Sequence, residues 1–383
     1  MNKKIIIGIV LVLLVTLGIG IAKYNAGSRN TAALELSGTI KVGAALGLTG
    51  ECANYGEGEL KAARLAIDEA NKSGGILGRK LELITEDTQC SPKGSVNAIR
   101  KLIDINKAEA IVGLTFGDSF QAGYTINNPA HIVAVSPSTA LEALAYNNAS
   151  TDYVFSTWFS ERDEIQALQK RAKEMNIKKF VLFHDEDAFA SMLSSLWNTY
   201  AKENGLTIVK EYKVPVGYDD YRTIILKMKA DNPEGIAFFA QTQATRAKFM
   251  KEAKELGLNA QIFQSADIEY PSLLENFGSA MEGIIYTFPE VTGESKSFFD
   301  RFKAFYGEDS VGGSDANAYD ATRVIIATLT EHYKNGTDMK TAVEKTNIPG
   351  TAFKEIKFDE AHQVTGSKYI IKTVRDGKFV EVK

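Results

Sequence analysis

The sequence predicts an α/β fold made of two lobes, each with a mostly parallel sheet. Short apolar segments of strand length alternate with amphipathic helical segments along most of the chain, which is the pattern of parallel strands joined by helical crossovers. The series begins again after about residue 157, so the chain holds two successive units of similar size. At 383 residues, the chain is long enough to bury two hydrophobic cores.

The first strand and helix of the series lie within residues 39–78. Ile40, Val42 and Ala44 form the pattern of a short buried strand, a glycine-containing loop follows at 47–50, and a helical pattern begins after Gly56. In open α/β sheets, ligands bind outside the carboxyl ends of the strands, where such loops lie. The sequence therefore predicts a binding site at this edge of the sheet.

The amino-terminal residues predict export. Lys3 and Lys4 precede a continuous apolar run at residues 5–22, which is the arrangement of a secretory signal. The run is also close to the length of a membrane-spanning helix. Residues 1–26 are therefore either a cleaved signal peptide or an uncleaved membrane anchor, and the polar residues 27–37 form a tether. We expect the rest of the chain to be periplasmic or on the extracellular face of the cytoplasmic membrane.

Charge and motif content argue against several function classes. The formal net charge is −4, whereas a nucleic-acid-binding protein is expected to carry a basic face. The four histidines, His131, His184, His332 and His362, lack metal-ligand spacing. Walker loops, nucleophile elbows and H-E-x-x-H motifs are absent from the sequence. We expect no catalytic residues, no metal, no cofactor and no nucleic-acid partner.

The two cysteines predict a disulfide. In an exported protein, two cysteines are more often bridged than free. Cys52 lies in the first strand–helix loop, and Cys90 follows the second apolar strand. If these strands are neighbours, both loops open on the same edge of the sheet and the two sulfurs can meet. The alternative is that each cysteine is a separate small core residue.

The remaining elements follow from apolar periodicity. The first unit has predicted strands at 81–85, 110–113, 132–135 and 153–157, and helices at 94–105 and 120–128. The second unit has strands at 179–183, 207–212, 235–239, 261–263 and 283–288, and helices at 161–175, 188–204, 221–230, 244–256 and 271–277. Further helices are predicted at 297–306, 317–333 and 342–346.

The last part of the chain, from about residue 353, has an alternating apolar and polar pattern instead of the earlier strand–helix series. Phe353, Ile356 and Phe358 alternate with polar residues, and residues 369–374 and 379–382 do the same around an Arg-Asp-Gly turn. This alternation predicts antiparallel strands added to the edge of a lobe.

A family resemblance is carried by LTGECANYGEGELKAARLAIDEANKSGGILGRKLELITEDTQC, VSPSTALEAL, DYVFSTWFS and ANAYDATRVIIATL. In combination these segments resemble the leucine/isoleucine/valine-binding proteins, which are type I periplasmic binding proteins of ABC transporters. The resemblance covers nearly all of the chain from about residue 38. It implies two Rossmann-like lobes joined by a three-crossing hinge. The N-terminal lobe would comprise residues 38–157 and 289–365, and the C-terminal lobe residues 158–288 and 366–383.

The resemblance also implies that the first lobe holds the charged ends of an amino acid ligand. The loops at 114–119 and 136–140 would supply backbone N–H groups and hydroxyls, an anion site that needs no buried counter-charge. Ser138 and Thr139 are the candidate carboxylate ligands, or else helix caps. Gly117 stands where the family has a serine, beside Asp118, which either accepts from the ligand ammonium or caps the next helix.

Other ligand contacts are implied around the cleft. Asp267 is the candidate partner of the ammonium group, with Glu269 as the alternative. Tyr55 and Phe189 match aromatic walls of the pocket, or else they pack the lobes together. Thr242 stands at a wall position where the family often has an aromatic residue, so we expect a more polar pocket than one for leucine.

The function implied is that of a monomeric extracytoplasmic substrate-binding protein. It would capture an amino acid, branched-chain or related, between its lobes and deliver it to the membrane permease of an ABC importer. The alternative is a ligand-sensing ectodomain of the same fold, anchored by its N-terminus. An enzyme is not expected, because the sequence offers no nucleophile–base or metal constellation.

Overall fold

The computed structural model describes residues 38–50, 52–115, 117–142, 152–240, 242–266, 268–269, 271–290, 293, 295–310 and 314–382. The predicted leader and tether at 1–37, and the candidate site residue Asp267, lie outside the described residues. Within the described ranges, each helix is too short or too polar to cross a lipid bilayer.

The first sheet has five parallel strands in the order β2-β1-β3-β4-β5. They are β1 (Ile40–Leu46), β2 (Leu81–Asp87), β3 (Ala110–Gly113), β4 (Ala134–Ser136) and β5 (Val154–Ser156). β1 lies between β2 and β3: Ile40 pairs with Leu81 on one side, and Val42 pairs with Ala110 on the other. The strands that carry Cys52 and Cys90 on their following loops are therefore neighbours.

Three helices connect these strands: α1 (Ala53–Lys72), α2 (Pro92–Arg100) and α3 (Gly117–Asn127). α1 begins earlier than the predicted start after Gly56, so Tyr55 lies in its first turn. Ser91 caps α2, because its side chain accepts from Gly94 N, and Pro92 takes the first helical position. The predicted single helix over 94–105 is wrong at its end, because residues Lys101–Ile105 form a π-helical turn.

The second sheet has seven strands in the order β14-β13-β10-β9-β8-β6-β7. Its parallel strands are β6 (Lys179–Asp185), β7 (Thr207–Val214), β8 (Gly235–Phe239), β9 (Gln261–Gln264) and β10 (Ile285–Pro289). The helices that accompany them are α4 (Glu161–Glu174), α5 (Ala188–Ala201), α6 (Tyr221–Asp231), α7 (Gln243–Glu255) and α8 (Pro271–Met281).

The chain then returns to the first lobe and leaves it again. The returning elements are α9 (Ser295–Tyr306), α10 (Asp315–Asn335), α11 (Met339–Glu344), β11 (Ile348–Pro349) and β12 (Glu355–Ile356). The last two strands, β13 (Tyr369–Arg375) and β14 (Lys378–Glu381), are antiparallel and lie on the edge of the second sheet.

The tail prediction was therefore right for its last two strands and wrong for the segment with Phe353, Ile356 and Phe358. That segment contributes β12 to a separate two-stranded sheet with β11. Phe353 and Ile356 are buried in the first-lobe core, and Phe358 packs against it. An alternating apolar pattern indicates a half-buried strand but not which surface buries it.

Helices cover both faces of each sheet. In the first lobe, α1, α9 and α10 pack on one face and α2 and α3 on the other. In the second lobe, α4 and α5 cover one face, with Trp197 fully buried, and α6, α7 and α8 cover the other, with Phe249 fully buried. These layers confirm the predicted α/β fold of two lobes with parallel sheets.

Three chain segments join the lobes: one after β5, one after β10 and one before β13. The first and third are hydrogen-bonded, because Val364 N donates to Ser156 O at 2.9 Å. The second and third are also connected, because Glu290 N donates to Lys368 O at 2.8 Å. The crossings thus run side by side, as the predicted hinge requires. The residue at which each crossing divides the lobes stays a prediction.

Candidate functional site

The candidate site lies at the carboxyl ends of the strands, on the hinge side of both lobes. One crossing leaves the carboxyl end of β5 and another leaves that of β10, so these edges of the two sheets face the same connection. α3 of the first lobe also contacts α5 of the second. This edge carries the candidate ligand residues within the described ranges, which are Tyr55, Gly117, Asp118, Ser138, Thr139, Phe189 and Thr242.

A disulfide braces the loops after β1 and β2. Cys52 and Cys90 are bridged, with their Cα atoms 5.8 Å apart. Beside the bridge, the Asp87 carboxylate accepts from Leu48 N at 2.9 Å and from Thr49 Oγ1 at 2.6 Å. Burial raises the pKa of Asp87, but the hydrogen bonds from Thr49 and from backbone N–H groups outweigh it and lower the pKa below its ordinary value. The loops after β1 and β2 are therefore held together by the disulfide and by hydrogen bonds to the ionised Asp87 carboxylate.

The loop after β3 is held in an unusual backbone conformation. Gly113 has φ +132°, and a Cβ there would lie 2.1 Å from Ala45 O, so only glycine fits. Leu114 follows in the left-handed region with φ 68°. Its carbonyl accepts from Ser136 Oγ and from Thr139 Oγ1, each at 3.4 Å. The hydroxyl of the predicted ligand residue Thr139 is thus bonded to the neighbouring loop. Such constrained backbone is often concentrated at binding sites.

The start of α3 differs from the predicted loop at 114–119. The helix begins at Gly117, so Gly117 and Asp118 lie in its first turn. Both readings of Asp118, as a contact of the ligand ammonium and as a cap of this helix, stay predictions. The first N–H groups of a helix have no partner within the helix, so this turn presents donors at the carboxyl edge of the sheet.

In the loop after β4, Ser138 Oγ is buried and has no hydrogen-bond partner among the described residues.

A buried acid that sequence reasoning missed lies beneath these loops. Glu59 of α1 is fully buried, and its Oε2 accepts from Thr115 Oγ1 at 2.8 Å. Burial raises the pKa of Glu59 to about 7, the hydroxyls of Ser138, Thr115 and Ser314 act to lower it, and the charge of Asp315 raises it. The sequence does contain a sign that Glu59 is buried. Glu59 lies on the same helix face as the apolar residues Ala63 and Ala66, four and seven positions later.

The residues predicted to form the walls of the pocket have mixed surroundings. Phe189 is half-buried at the start of α5, where its N–H donates to Asp187 Oδ1 at 2.8 Å. Thr242 is exposed and caps α7, accepting from Thr245 N at 3.2 Å. Tyr55 is half-buried in the first turn of α1. The ligand contacts predicted for these residues stay predictions.

A buried arginine, also missed from sequence, ties the second-lobe loops together. Arg246 of α7 is 1% exposed, and its Nε donates to Ala240 O at 2.7 Å, in the turn after β8. Its Nη2 lies 3.5 Å from Ser265 Oγ, just after β9. The side-chain amide of Gln264, at the end of β9, is buried without a hydrogen-bond partner among the described residues. The second lobe thus has a buried guanidinium near its cleft loops, whereas the first lobe has a buried carboxyl.

Two glutamates, one partly buried and one fully buried, connect the site loops to the hinge. Glu142, in the loop after β4, accepts from Ser160 Oγ at 2.6 Å in the first crossing, and burial raises its pKa. Glu164 of α4 accepts from Ala266 N at 2.6 Å and also from Thr287 Oγ1. The loops after β4 and β9 are therefore both bonded to the segment that begins the second lobe.

The described part of the site is suited to binding. Among the described residues, no three His, Cys, Asp or Glu side chains are grouped as metal ligands. His184 is buried, with Nδ1 2.6 Å from Asp185 O and Nε2 3.1 Å from Glu211 Oε1, which is a structural arrangement. Hydroxyls and backbone N–H groups remain at the first-lobe edge, and such groups recognise a carboxylate.

Comparison with known proteins gives a family match over most of the chain. A family model described as periplasmic binding protein matches residues 39–378. A leucine-, isoleucine-, valine-, threonine- and alanine-binding protein of Pseudomonas aeruginosa is 24% identical over 352 residues, covering 90% of this chain and 92% of that protein. The matched family consists of binding proteins rather than enzymes. These findings confirm the resemblance drawn from the sequence segments.

Solved structures share the fold at low identity. A leucine binding protein from Thermotoga maritima superposes with a TM-score of 0.75 and 22% identity, covering 90% of this chain and 98% of that one. A solute-binding protein of R. palustris, in complex with 4-hydroxybenzoate, gives a TM-score of 0.76 and 20% identity, covering 90% of this chain and 96% of that one.

Proposed function

Because this chain belongs to the periplasmic binding protein family, we propose that it is an extracytoplasmic substrate-binding protein that captures an amino acid, branched-chain or related, and delivers it to an ABC importer. The ligand docks on one lobe, and the other lobe closes over it by hinge motion. The closed monomer then docks on the membrane permease. Residues 1–26 direct export, as a cleaved signal or as an anchor.

The observation that carries this proposal is the cleft edge of the first lobe. There the first turn of α3 presents backbone N–H groups, and the buried hydroxyl of Ser138 has no hydrogen-bond partner among the described residues. A ligand carboxylate would complete both sets of hydrogen bonds. In this proposal Ser138, Thr139 and the N–H groups of Gly117 and Asp118 bind the carboxylate.

The remaining contacts fix the rest of the ligand. Asp267 pairs with the ammonium group after closure, Tyr55 and Phe189 form walls around the side chain, and Thr242 makes the pocket more polar than one for leucine. An affinity in the micromolar range corresponds to about −8 kcal/mol, which a clamp on both charged ends and one buried side chain can supply.

The test is calorimetry and thermal unfolding of the mature protein with leucine, isoleucine, threonine, alanine and benzoate. We expect one or more amino acids to bind and to raise the melting temperature, since a ligand that binds only the folded state stabilises it. Ser138→Ala should weaken binding by about tenfold or more, because one hydrogen bond to a charged group is lost. Ser73→Ala is the matched control, because Ser73 is exposed at the opposite end of α1.

The outcomes separate the ligand classes. If benzoate binds and none of the amino acids does, the proposed ligand class changes from an amino acid to an aromatic carboxylate. Absence of binding by every probe would refute the proposed ligand class. Equal binding by Ser138→Ala and Ser73→Ala would remove Ser138 from the site.

A further inference from the structure

The polar cluster beneath the first-lobe loops has incomplete hydrogen bonding. Glu59 Oε2 is bonded to Thr115, but among the described residues Glu59 Oε1 has no hydrogen-bond partner. Ser138 and Ser314 lie near enough to lower the pKa of this carboxyl, yet their hydroxyls do not reach hydrogen-bond geometry with it and are likewise unpaired. Fully buried polar atoms are nearly always paired in folded proteins. These three side chains are therefore poised to form bonds that depend on a proton or a ligand.

The charges around the cluster disfavour ionisation of Glu59. Asp315, at the start of α10, is fully buried and is the acid that acts on Glu59 from the facing helix. The two helices approach closely at Gly58, where a Cβ would lie 2.2 Å from Asp315 Oδ1. Asp315 Oδ2 accepts from Ser310 Oγ at 2.6 Å. Two acids in one buried cluster resist carrying two negative charges.

We propose that Glu59 is a proton switch that takes up one proton when a ligand carboxylate docks on Ser138. The proton comes from solvent and forms an O–H bond on Oε1. Protonated Glu59 donates to a serine oxygen, so the Ser138 hydroxyl is free to donate to the ligand. Ionised Glu59 instead accepts from Ser138, whose proton is then unavailable. The inference rests on the proposed function, because it requires a carboxylate at this loop.

Burial supports this role, because it raises the pKa of Glu59 to about 7. Near neutral pH the group is then partly protonated, and a carboxylate docked nearby raises its pKa further. Since the bound state holds the extra proton, affinity for the carboxylate should fall as the pH rises above that range.

The experiment is calorimetry of the mature protein with isoleucine at about pH 7.5, in phosphate and in Tris, whose ionisation enthalpies differ. The difference in binding heat counts the protons exchanged. We expect uptake of a proton by the wild type and a Kd that rises toward tenfold per pH unit between about pH 7.5 and 9. If isoleucine does not bind, the amino acid that binds in the ligand panel, or benzoate, is the probe.

The key variant is Glu59→Gln, which mimics the protonated acid. It should bind the probe with equal heats in both buffers and with a Kd independent of pH. The matched control is Asp320→Asn on the same helix as Asp315. Burial also raises the pKa of Asp320, to about 6, but its Oδ2 accepts from Thr351 N at 2.6 Å and Ala352 N at 2.9 Å. This control should retain the proton uptake.

Each outcome decides between the two proposals. Binding to the wild type with no proton exchange overturns the switch and leaves the proposed function standing. Proton release on binding also overturns it, because the ammonium end would then lie over Glu59. Absence of binding by every probe refutes the proposed function and this inference together. If Glu59→Gln fails to fold, the wild-type measurement still decides, and Ser314→Ala should reduce the uptake.

Discussion

The two lobes share a doubly wound fold but hold their cleft loops by different means. The first lobe uses the Cys52–Cys90 disulfide and the buried acid Glu59, whereas the second uses the buried base Arg246. An acid can be neutralised by a proton at ordinary pH, but a guanidinium remains charged and must keep permanent acceptors such as Ala240 O. The cleft loops of the first lobe should therefore respond to pH through Glu59 and to reductant through the disulfide, whereas Arg246 should keep its charge and its bonds.

The disulfide gives the largest expected difference between the lobes. The bridge spans a sequence separation of 38 residues, and a loop of that size contributes about 4 kcal/mol in the chain-entropy picture. The double variant Cys52→Ser with Cys90→Ser should lose that stability in urea unfolding. Hydrogen exchange should show the loss in β1 and β2 and spare β8 and β9. Equal loss of protection in both lobes would contradict the comparison.

Removal of Arg246 should affect the second lobe. Arg246→Met leaves a buried carbonyl and a buried hydroxyl without their donor, at a cost of about 3 kcal/mol in total. The control is Arg222→Met, which breaks an exposed pair with Glu255 at 2.9 Å and should cost less than about 1 kcal/mol. Urea unfolding measures both variants. Similar losses of unfolding free energy in the two variants would show that the hydrogen bonds of Arg246 do not stabilise the second-lobe loops.

The acid of the first lobe should make stability depend on pH. The folded-state pKa of Glu59, about 7, lies above the ordinary value of 4.5, so the folded protein holds the proton more tightly than the unfolded chain. The stabilisation is complete below about pH 4.5 and is lost as the pH rises through about 7, by about 3 kcal/mol. Glu59→Gln should remove this loss from denaturation curves taken across that window. Asp320→Asn should remove only a loss that ends near pH 6, because burial raises the pKa of Asp320 to about 6, and it should leave the loss between about pH 6 and 7 in place. An unchanged pH profile in Glu59→Gln would exclude Glu59 as the source of that remaining loss.

Local patterning predicted most of the fold. The predicted strand at 235–239 coincides with β8 (Gly235–Phe239), because a run of buried residues between turn signals is legible without tertiary information. The starts of α1 and α3 were placed too late. The first turn of each lies at the sheet edge and lacks the apolar spacing that marks a helix interior.

The candidate site was only partly predictable. Ser138 and Thr139 were found through the resemblance, but Glu59 and Arg246 were not. The partners that give Glu59 its role, Thr115 and Ser314, lie 56 and 255 positions away in the chain. Their approach depends on how α1, α10 and two loops pack together, and no periodicity within one segment records it.

The sequence by itself determined the elements, their order and the two-lobe class, because apolar periods of two and of about 3.6 residues are local properties of the chain. It also placed each cysteine in a loop that follows a strand, but only the sheet order made those two strands neighbours. Only the tertiary structure decided that the segment around Phe353 joins the first-lobe core and that burial raises the pKa of Glu59. Both outcomes follow from burial by distant residues, since the removal of water around a side chain is a property of the packed fold.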